Sequence, residues 1–465
     1  MIIGGISLFF LYLSSLSSLL GFSDVYSSIF LIVFSITFLK FVSLKVGRIN
    51  SVVFFFFFFY LIYGVTAPLS IMLGGGIPDI FSKPYPIDVF LFVYSLATTG
   101  VVFALITTKI DNLAIQSSLR ISYLATKKDA LINSAIFLCT LSAIFDFINN
   151  LRVGFEYLLL DKAEYQSQIQ SLSFTVPTSK LYLVALTMFC LGVALHDRKV
   201  NKWKCLMFLI GLSPSIIIHL MTGQRGYLLT VVGVAFLSIT YFKIIKLSAL
   251  KFKYLFFSSI LYISLVVLTV IRGVIGYSIE VGDYSLVQER LSNTELIVKR
   301  LNPAESEFGA PFGNFSEFII KGGGSLQYGQ TYLIAPVVLI PSFIYPGDKP
   351  TQAIYQFRDT FFQDEKYRGE IASTGFSSIL EAFMNFGYLG VFFIFFLFAK
   401  LILLLEKSIW KSISLFTPLF AISLFNLSRS FHRSGFDTLI GEVFWACLLS
   451  VFAVFLVNLF KKYKI

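Results

Sequence analysis

Four arginines stand at or beside the ends of apolar segments, where a charged side chain is costly unless it is paired or reaches water. Arg225 and Arg272 are each followed by glycine, and Arg429 and Arg433 lie four residues apart. The arginine side chain presents a planar fork of N–H donors that binds two phosphate oxygens at once. The pattern predicts a phosphate or diphosphate site, with backbone N–H groups of the glycines approaching the anion. The alternative for each arginine is a side chain that extends to lipid headgroups.

Three titratable residues near the two C-terminal arginines are candidate acceptors of a proton from a substrate hydroxyl. Glu381 lies near the start of a long apolar segment, so it either pairs with an arginine or acts as a general base. His432 is one of three histidines, and the alternative for it is a turn residue without a catalytic role. Asp437 follows Arg433 by four residues, which places both on one helical face and favours an ion pair and a helix-dipole contact. Glu381 is preferred to His432, because a buried carboxylate has fewer structural explanations.

The elements that must position these residues are membrane spans. Hydrophobic residues make up 56% of the 465 residues and charged residues 14%, against about 25% charged in an ordinary soluble chain. The mean hydropathy is +0.81. A soluble protein could not cover this apolar surface, whereas a lipid-facing one needs no cover. The composition predicts an all-α polytopic membrane protein. In such a protein the net charge of +11 indicates the orientation of the spans and not nucleic-acid binding.

About 20 apolar residues are needed for one span, and twelve segments meet that test. They lie near 2–20, 24–44, 51–72, 87–108, 130–148, 180–196, 205–221, 226–242, 254–273, 376–405, 413–428 and 437–459. We expect the first segment to be a retained span and not a cleaved signal peptide. The run Phe54 to Phe59 is interpreted as lipid contact. The short stretch Leu333 to Phe343 is interpreted as a helix that lies in the membrane interface or dips into the membrane from outside.

The orientation of the spans follows from the basic residues in the short connections. When the N-terminus is placed in the cytoplasm, every short basic connection falls on the cytoplasmic side, from Lys40, Lys45 and Arg48 to the C-terminal lysines. We therefore expect an even number of spans, both termini inside, and the four arginines outside. Residues 1–465 form one predicted transmembrane domain, with a first sizeable outer loop at 149–179 and a large outer loop at 274–375 that contains short helices.

Several of these segments resemble a known family. They are Thr222-Gly-Gln-Arg225-Gly, the Arg272 span end, Ile340-Pro-Ser-Phe-Ile-Tyr-Pro-Gly-Asp-Lys-Pro350, Ser373 to Gly390, and Arg433-Ser-Gly-Phe-Asp437-Thr. Their order and sidedness resemble the Wzy-type O-antigen and oligosaccharide repeat-unit polymerases of lipopolysaccharide biosynthesis. The resemblance implies a GT-C-like membrane glycosyltransferase in the bacterial inner membrane, with its active site at the periplasmic face.

The resemblance also implies the substrates. Donor and acceptor would be oligosaccharides linked to undecaprenyl diphosphate, within the lipid membrane, and a chain-length regulator would be a further partner. Arg225, Arg272 and Arg433 would bind the donor diphosphate, with Arg429 as a fourth candidate. The diphosphate would be the leaving group, and no metal, nucleotide sugar, cofactor or nucleic acid would take part.

Three alternatives remain open at the level of sequence. A lipid-linked oligosaccharide flippase or another transporter predicts inverted repeats and charges in mid-span, which the sequence lacks. An O-antigen ligase would perform the same chemistry on another acceptor and shares the outer arginines and the large loop. A membrane scaffold without enzymatic activity would not need crowded outer arginines.

Overall fold

The computed structural model describes most of the chain. The described residues are 1–78, 81, 83–108, 123–154, 178–196, 200–221, 225–243, 245–249, 259–260, 262–264, 266–267, 270–271, 274, 278, 281–305, 308–323, 326–340, 345, 350–362, 375–411 and 414–463. Within these ranges all regular secondary structure is helical, as the composition predicts.

Eight α-helices have defined bounds among the described residues of the N-terminal half. They are α1 (Ile2–Leu19), α2 (Asp24–Val46), α3 (Val52–Met72), α4 (Ile87–Thr107), α5 (Lys128–Val153), α6 (Thr178–Leu195), α7 (Lys202–Met221) and α8 (Arg225–Thr240).

Nine more α-helices have defined bounds in the described part of the C-terminal half. They are α9 (Ser285–Ser292), α10 (Thr294–Leu301), α11 (Ala310–Ile320), α12 (Gln330–Val338), α13 (Ala353–Phe361), α14 (Ser378–Lys411), α15 (Phe416–Ser423), α16 (Phe425–Ser434) and α17 (Phe436–Tyr463). The helices α9 to α13 lie in the predicted large outer loop and are all too short to cross a membrane.

The chain divides into two compact units. The first comprises Met1–Asn112, Asn302–Ser408 and Asn426–Phe444, and the second comprises Leu113–Leu301, Ile409–Phe425 and Trp445–Ile465. The prediction that residues 1–465 form one transmembrane domain stays a prediction, as do the boundaries of the two outer loops.

Among the described residues, nine helices are long and apolar enough to cross a membrane, namely α1 to α7, α14 and α17. The protein is therefore a multi-pass membrane protein. The predicted total of twelve spans is not confirmed, because the candidate at 254–273 lies mostly outside the described residues. The candidate at 226–242 is the shorter apolar helix α8, and the candidate at 413–428 is two short helices, α15 and α16.

The interpretation of the phenylalanine run as lipid contact is wrong for most of its members. In α3, Phe54, Phe56, Phe57 and Phe59 are all buried inside the first unit. Phe56 stacks on Phe431 of α16, with ring centroids 5.5 Å apart. Phenylalanine serves a lipid-facing and a protein-facing surface equally well, so composition alone does not separate the two environments.

A break in α14 ties the large loop to the first unit. The backbone of α14 leaves helical geometry at Gly387, which frees carbonyl groups in the preceding turn. Two of these carbonyls accept hydrogen bonds from the loop backbone, from Gln327 N to Met384 O and from Tyr328 N to Asn385 O, each at 3.0 Å. A buried carbonyl needs a partner, so this part of the loop is held against the short first segment of α14.

The opposite end of the first unit contains a buried ion pair. Arg48, in the connection between α2 and α3, lies 3.0 Å from Glu406 of α14, and both side chains are less than a tenth exposed. Both residues come from segments that the charge pattern places on the cytoplasmic side. The pair therefore joins the α2–α3 connection to α14 at this end.

The second unit contains a bundle formed by α5, α6, α7 and α8. Phe189 of α6 stacks on Phe208 of α7, with ring centroids 4.0 Å apart. Gly211 of α7 faces Cys139 of α5, at a distance that leaves little room for any side chain. Small residues and stacked rings let these helices approach closely, which is the usual basis of helix association in membranes.

Candidate functional site

The segment that carries the C-terminal arginines lies between two predicted spans and is a helix, not a short turn. Arg429, His432 and Arg433 all lie on α16, and the helix ends only at Gly435, whose φ is +119°. The expectation that Asp437 shares a helical face with Arg433 is therefore wrong. The left-handed backbone at Gly435 places Arg433 on α16 and Asp437 on α17. Residues four apart share a helical face only within one helix, so the spacing does not apply here.

Hydrogen bonds from other parts of the first unit hold α16. The Ser428 hydroxyl donates to the Val52 carbonyl at the start of α3, at 3.2 Å. The Asn426 amide donates to Glu442 of α17, at 2.9 Å. These bonds hold the helix that carries Arg429 and Arg433 against α3 and α17.

His432 is buried against α3. Its Nε2–H donates to the Phe56 carbonyl at 3.0 Å, and its ring lies 4.5 Å from the ring of Phe56 and 5.6 Å from the ring of Tyr60. Burial lowers the pKa of His432 to about 3, because the charged imidazolium is poorly solvated there. The imidazole is thus neutral near pH 7 and is a weak base.

Arg433 packs tightly against Gly375. A Cβ atom at Gly375 would clash with Cγ of Arg433 and would lie 2.8 Å from its carbonyl oxygen. The Gly375 carbonyl accepts a hydrogen bond from the amide of Asn314, a buried residue of α11. Asn314, Gly375 and Arg433 thus form a connected series that fixes the base of the Arg433 side chain.

Glu381 joins three elements of the first unit. Its Oε1 accepts from the Thr331 hydroxyl of α12 at 2.8 Å, and its Oε2 accepts from the Phe436 N–H of α17 at 2.7 Å. The carboxylate therefore caps the N-terminus of α17, where negative charge is favourable. Asn385, one turn further along α14, donates to the Thr331 hydroxyl and to the Glu381 carbonyl, each at 2.8 Å.

Glycine is required where the carboxylate meets the α16–α17 junction. A Cβ atom at Gly435 would lie 2.8 Å from Glu381 Oε2 and 3.1 Å from a ring carbon of Phe376. The positive φ and the missing Cβ together let Glu381 reach the first N–H of α17.

Asp437 lies in the first turn of α17 and faces the N-terminus of α13. Its Oδ1 accepts from the Thr438 N–H at 2.7 Å, and the backbone N–H of Ala353, the first residue of α13, also hydrogen-bonds to its carboxylate. Glu381 and Asp437 thus each lie at a helix N-terminus that is separate from the helix bearing the arginines.

Tyr332, next to Thr331 on α12, lies close to Glu381. Its ring packs against Phe436 and Phe386, with ring centroids 5.0 and 5.8 Å away. Burial, together with the nearby Glu381 carboxylate, raises the pKa of the Tyr332 phenol well above its usual range. The phenol is therefore a neutral hydrogen-bond donor.

The structure brings together five of the seven residues singled out by sequence, which are Glu381, Arg429, His432, Arg433 and Asp437. All five lie in the first unit. Arg225 begins α8 in the second unit, and its side chain lies outside the described parts of the structure. Arg272 also lies outside the described residues.

Sequence reasoning missed three polar residues that the structure makes prominent. Thr331 and Asn385 are buried partners of Glu381, and Asp146 is a buried carboxylate of α5 in the second unit. Asp146 could have been found from the sequence, because it is a charged residue inside the predicted span at 130–148. Thr331 and Asn385 had none, because ordinary polar residues in a loop and a span give no sign of their partners.

No group of three histidine, cysteine, aspartate or glutamate side chains that could hold a metal ion occurs within the part of the chain that the structure describes. The polar side chains of the site are arginines, carboxylates, amides, the His432 imidazole and the Thr331 hydroxyl.

The described helices and this site define a multi-pass α-helical membrane protein with buried carboxylates and arginines at helix ends. Residues 351–464 match the model of the family described as O-antigen polysaccharide polymerase Wzy. This match confirms the resemblance noted from the sequence, and its range contains Gly375, Glu381, Arg433 and Asp437.

One curated relative also matches. Protein CapE of Staphylococcus aureus is 28% identical over 232 residues, which are 49% of this chain and 45% of CapE. The chain thus spans less than half the length of that relative. No solved structure matches the chain.

Proposed function

We propose that this protein polymerises lipid-linked oligosaccharide repeat units into an O-antigen-type polysaccharide. The observation that carries the proposal is the match of residues 351–464 to the Wzy polymerase family, over the segment that holds Arg429, Arg433, Glu381 and Asp437. The donor is a growing chain on undecaprenyl diphosphate, the acceptor is a new lipid-linked unit, and the site faces the periplasm of the inner membrane.

Arginine is suited to stabilise the departure of the diphosphate leaving group. Negative charge builds on the bridging diphosphate oxygen as the glycosidic bond breaks, and fixed cations stabilise that developing charge. Arg433 is the principal candidate, because Gly375 and Asn314 fix its base before any substrate arrives. Arg429 lies one turn away on α16 and is the second. Arg225 and Arg272 join the proposal on their sequence positions alone.

The three titratable candidates differ in what holds them. Glu381 is 1% exposed and joins α12 to α17, and His432 is 3% exposed and joins α16 to α3. We assign both residues to positioning of the arginine helix and its neighbours. Asp437, at 8% exposed, is the most accessible of the three and is the candidate acceptor of the proton from the acceptor hydroxyl.

Arg433→Ala in cells that lack the native gene tests the diphosphate assignment. We expect polymerisation to slow by on the order of 10²–10³-fold, the usual loss for one donor to a developing oxyanion. Chain-length ladders of the surface polysaccharide measure the effect, at matched protein levels in the membrane. Arg358→Ala is the matched control, because Arg358 forms a surface ion pair with the adjacent Asp359. It should retain a wild-type ladder.

The same gels separate polymerase from ligase. Loss of the ladder with single repeat units still attached to the surface lipid indicates a polymerase, whereas loss of both products indicates a ligase. A wild-type ladder from well-expressed Arg433→Ala protein would remove Arg433 from the diphosphate site.

A further inference from the structure

Four helices of the second unit bring polar side chains to one place. Asp146 of α5 lies near the hydroxyls of Thr178 and Tyr182 at the start of α6. The phenol of Tyr227, near the start of α8, lies in the neighbourhood of Asp146. These positions all lie toward the helix ends that the charge pattern places outside the cytoplasm.

The helices α7 and α8 are connected at the same level. The hydroxyls of Ser215 and Tyr227 share a hydrogen bond at 2.8 Å, and the rings of His219 and Tyr227 stack with centroids 3.6 Å apart. His219 Nδ1 lies 2.7 Å from the Ser215 carbonyl, so Nδ1 carries the proton that it donates and Nε2 is the basic nitrogen of the neutral ring.

Asp146 is the residue that most needs an explanation. Its side chain is 8% exposed, within a helix long and apolar enough to span the membrane. A carboxylate in such a place is expensive and marks a functional site unless a structural partner explains it. The neighbours that it meets here are hydroxyl groups, which are neutral donors and also the chemical groups of carbohydrates.

We propose that Asp146 and the surrounding hydroxyls form a sugar-binding subsite for the lipid-linked oligosaccharide. A carboxylate accepts hydrogen bonds at both oxygens, so it can bind two adjacent sugar hydroxyls, and tyrosine and serine hydroxyls both donate and accept. Thr178, His219 and Tyr227 are partly exposed, so a ligand can reach these side chains. The subsite rests on the proposed function, because it takes the saccharide of the same substrate.

Two probes separate sugar binding from diphosphate binding. The protein is reconstituted in lipid nanodiscs, and affinity is measured for undecaprenyl diphosphate and for the lipid-linked repeat unit extracted from cells that lack this protein. We expect Asp146→Asn to weaken binding of the repeat unit by roughly tenfold to a hundredfold, the usual effect of losing hydrogen bonds to a charged group. Its affinity for undecaprenyl diphosphate should stay within about twofold of wild type.

Asp129→Asn is the matched control, since Asp129 lies at the other end of the same helix, two-thirds exposed and close to His196. It should leave both affinities unchanged. Tyr182→Phe removes only a hydroxyl beside Asp146 and serves as a second variant if Asp146→Asn does not fold. It should weaken binding of the repeat unit about tenfold and spare undecaprenyl diphosphate.

Equal weakening of both probes by these variants, or weakening of neither, would overturn the sugar subsite. Arg433→Ala in the same assay should weaken both probes, because both contain the diphosphate. If Arg433→Ala weakens neither while Asp146→Asn weakens only the repeat unit, the subsite stands and the diphosphate assignment of the proposed function fails.

Discussion

At the scale of single residues, Gly435 decides which charged groups of the site can meet. Its left-handed backbone ends α16 just after Arg433 and begins α17 just before Asp437. The missing side chain also makes the space in which Glu381 reaches the Phe436 N–H. One residue thus sets the direction of the arginine helix and allows the cap of the last helix.

Gly435→Ala should destabilise the protein by about 1–3 kcal/mol, because it forces a side chain into a strained backbone region and against Glu381. Thermal unfolding in detergent, followed by loss of folded protein on size exclusion, measures the change. Gly5→Ala is the control, since Gly5 is helical and a Cβ atom there would meet nothing within 4 Å. Equal melting temperatures for the two variants would contradict the role given to Gly435.

At the scale of elements, the break in α14 is what connects the large loop to the site. A continuous helix would satisfy the carbonyls of Met384 and Asn385 within itself. The break at Gly387 releases them to Gln327 and Tyr328, and this brings Thr331 within reach of Glu381. The break in α14 therefore positions the large loop, together with the short helices of the loop itself.

Gly387→Ala should loosen this connection, because the backbone at Gly387, with φ +63° and ψ −157°, is accessible almost only to glycine. We expect amide hydrogen exchange in residues 326–338 to become about tenfold faster, as the loop opens more often. Mass spectrometry of the exchanged protein measures it. Gly441→Ala, on α17, places its Cβ atom in ordinary contact and should leave the exchange unchanged. Unaltered exchange in Gly387→Ala would show that the break does not hold the loop.

At the scale of the whole molecule, the charge pattern predicts which side of the membrane each connection lies on, and this map stays a prediction. Two hydrogen-bonded pairs of the first unit, Thr331 with Glu381 and the Ala353 N–H with Asp437, each join segments assigned to the outer side. Arg48 and Glu406, both assigned to the inner side, form an ion pair.

Single cysteines test the map in intact cells. A cysteine in place of Glu295, which is exposed in the predicted outer loop, should react with a membrane-impermeant maleimide. A cysteine in place of Lys462, exposed near the end of α17, should react only after the membrane is permeabilised. The unsubstituted chain gives the background of the four native cysteines. Labelling of both positions from the same side would refute the predicted topology.

The sequence by itself determined the class of protein and the region of interest. Span length and the sidedness of lysine and arginine are properties of short segments, because the bilayer imposes them on each segment separately. The family match falls on the same C-terminal region in which sequence reasoning singled out Glu381, Arg429, His432, Arg433 and Asp437.

Only the tertiary structure decided the partners of these residues. Glu381 meets Thr331, 50 residues away, and Phe436, 55 residues away, and neither pairing follows from local spacing. The predicted Arg433–Asp437 helical face failed at a single glycine, and the phenylalanine run proved to be mostly buried although lipid would have suited it. Pairings of this kind depend on where helices break and cross, and a lipid-facing and a protein-facing position demand the same apolar residues.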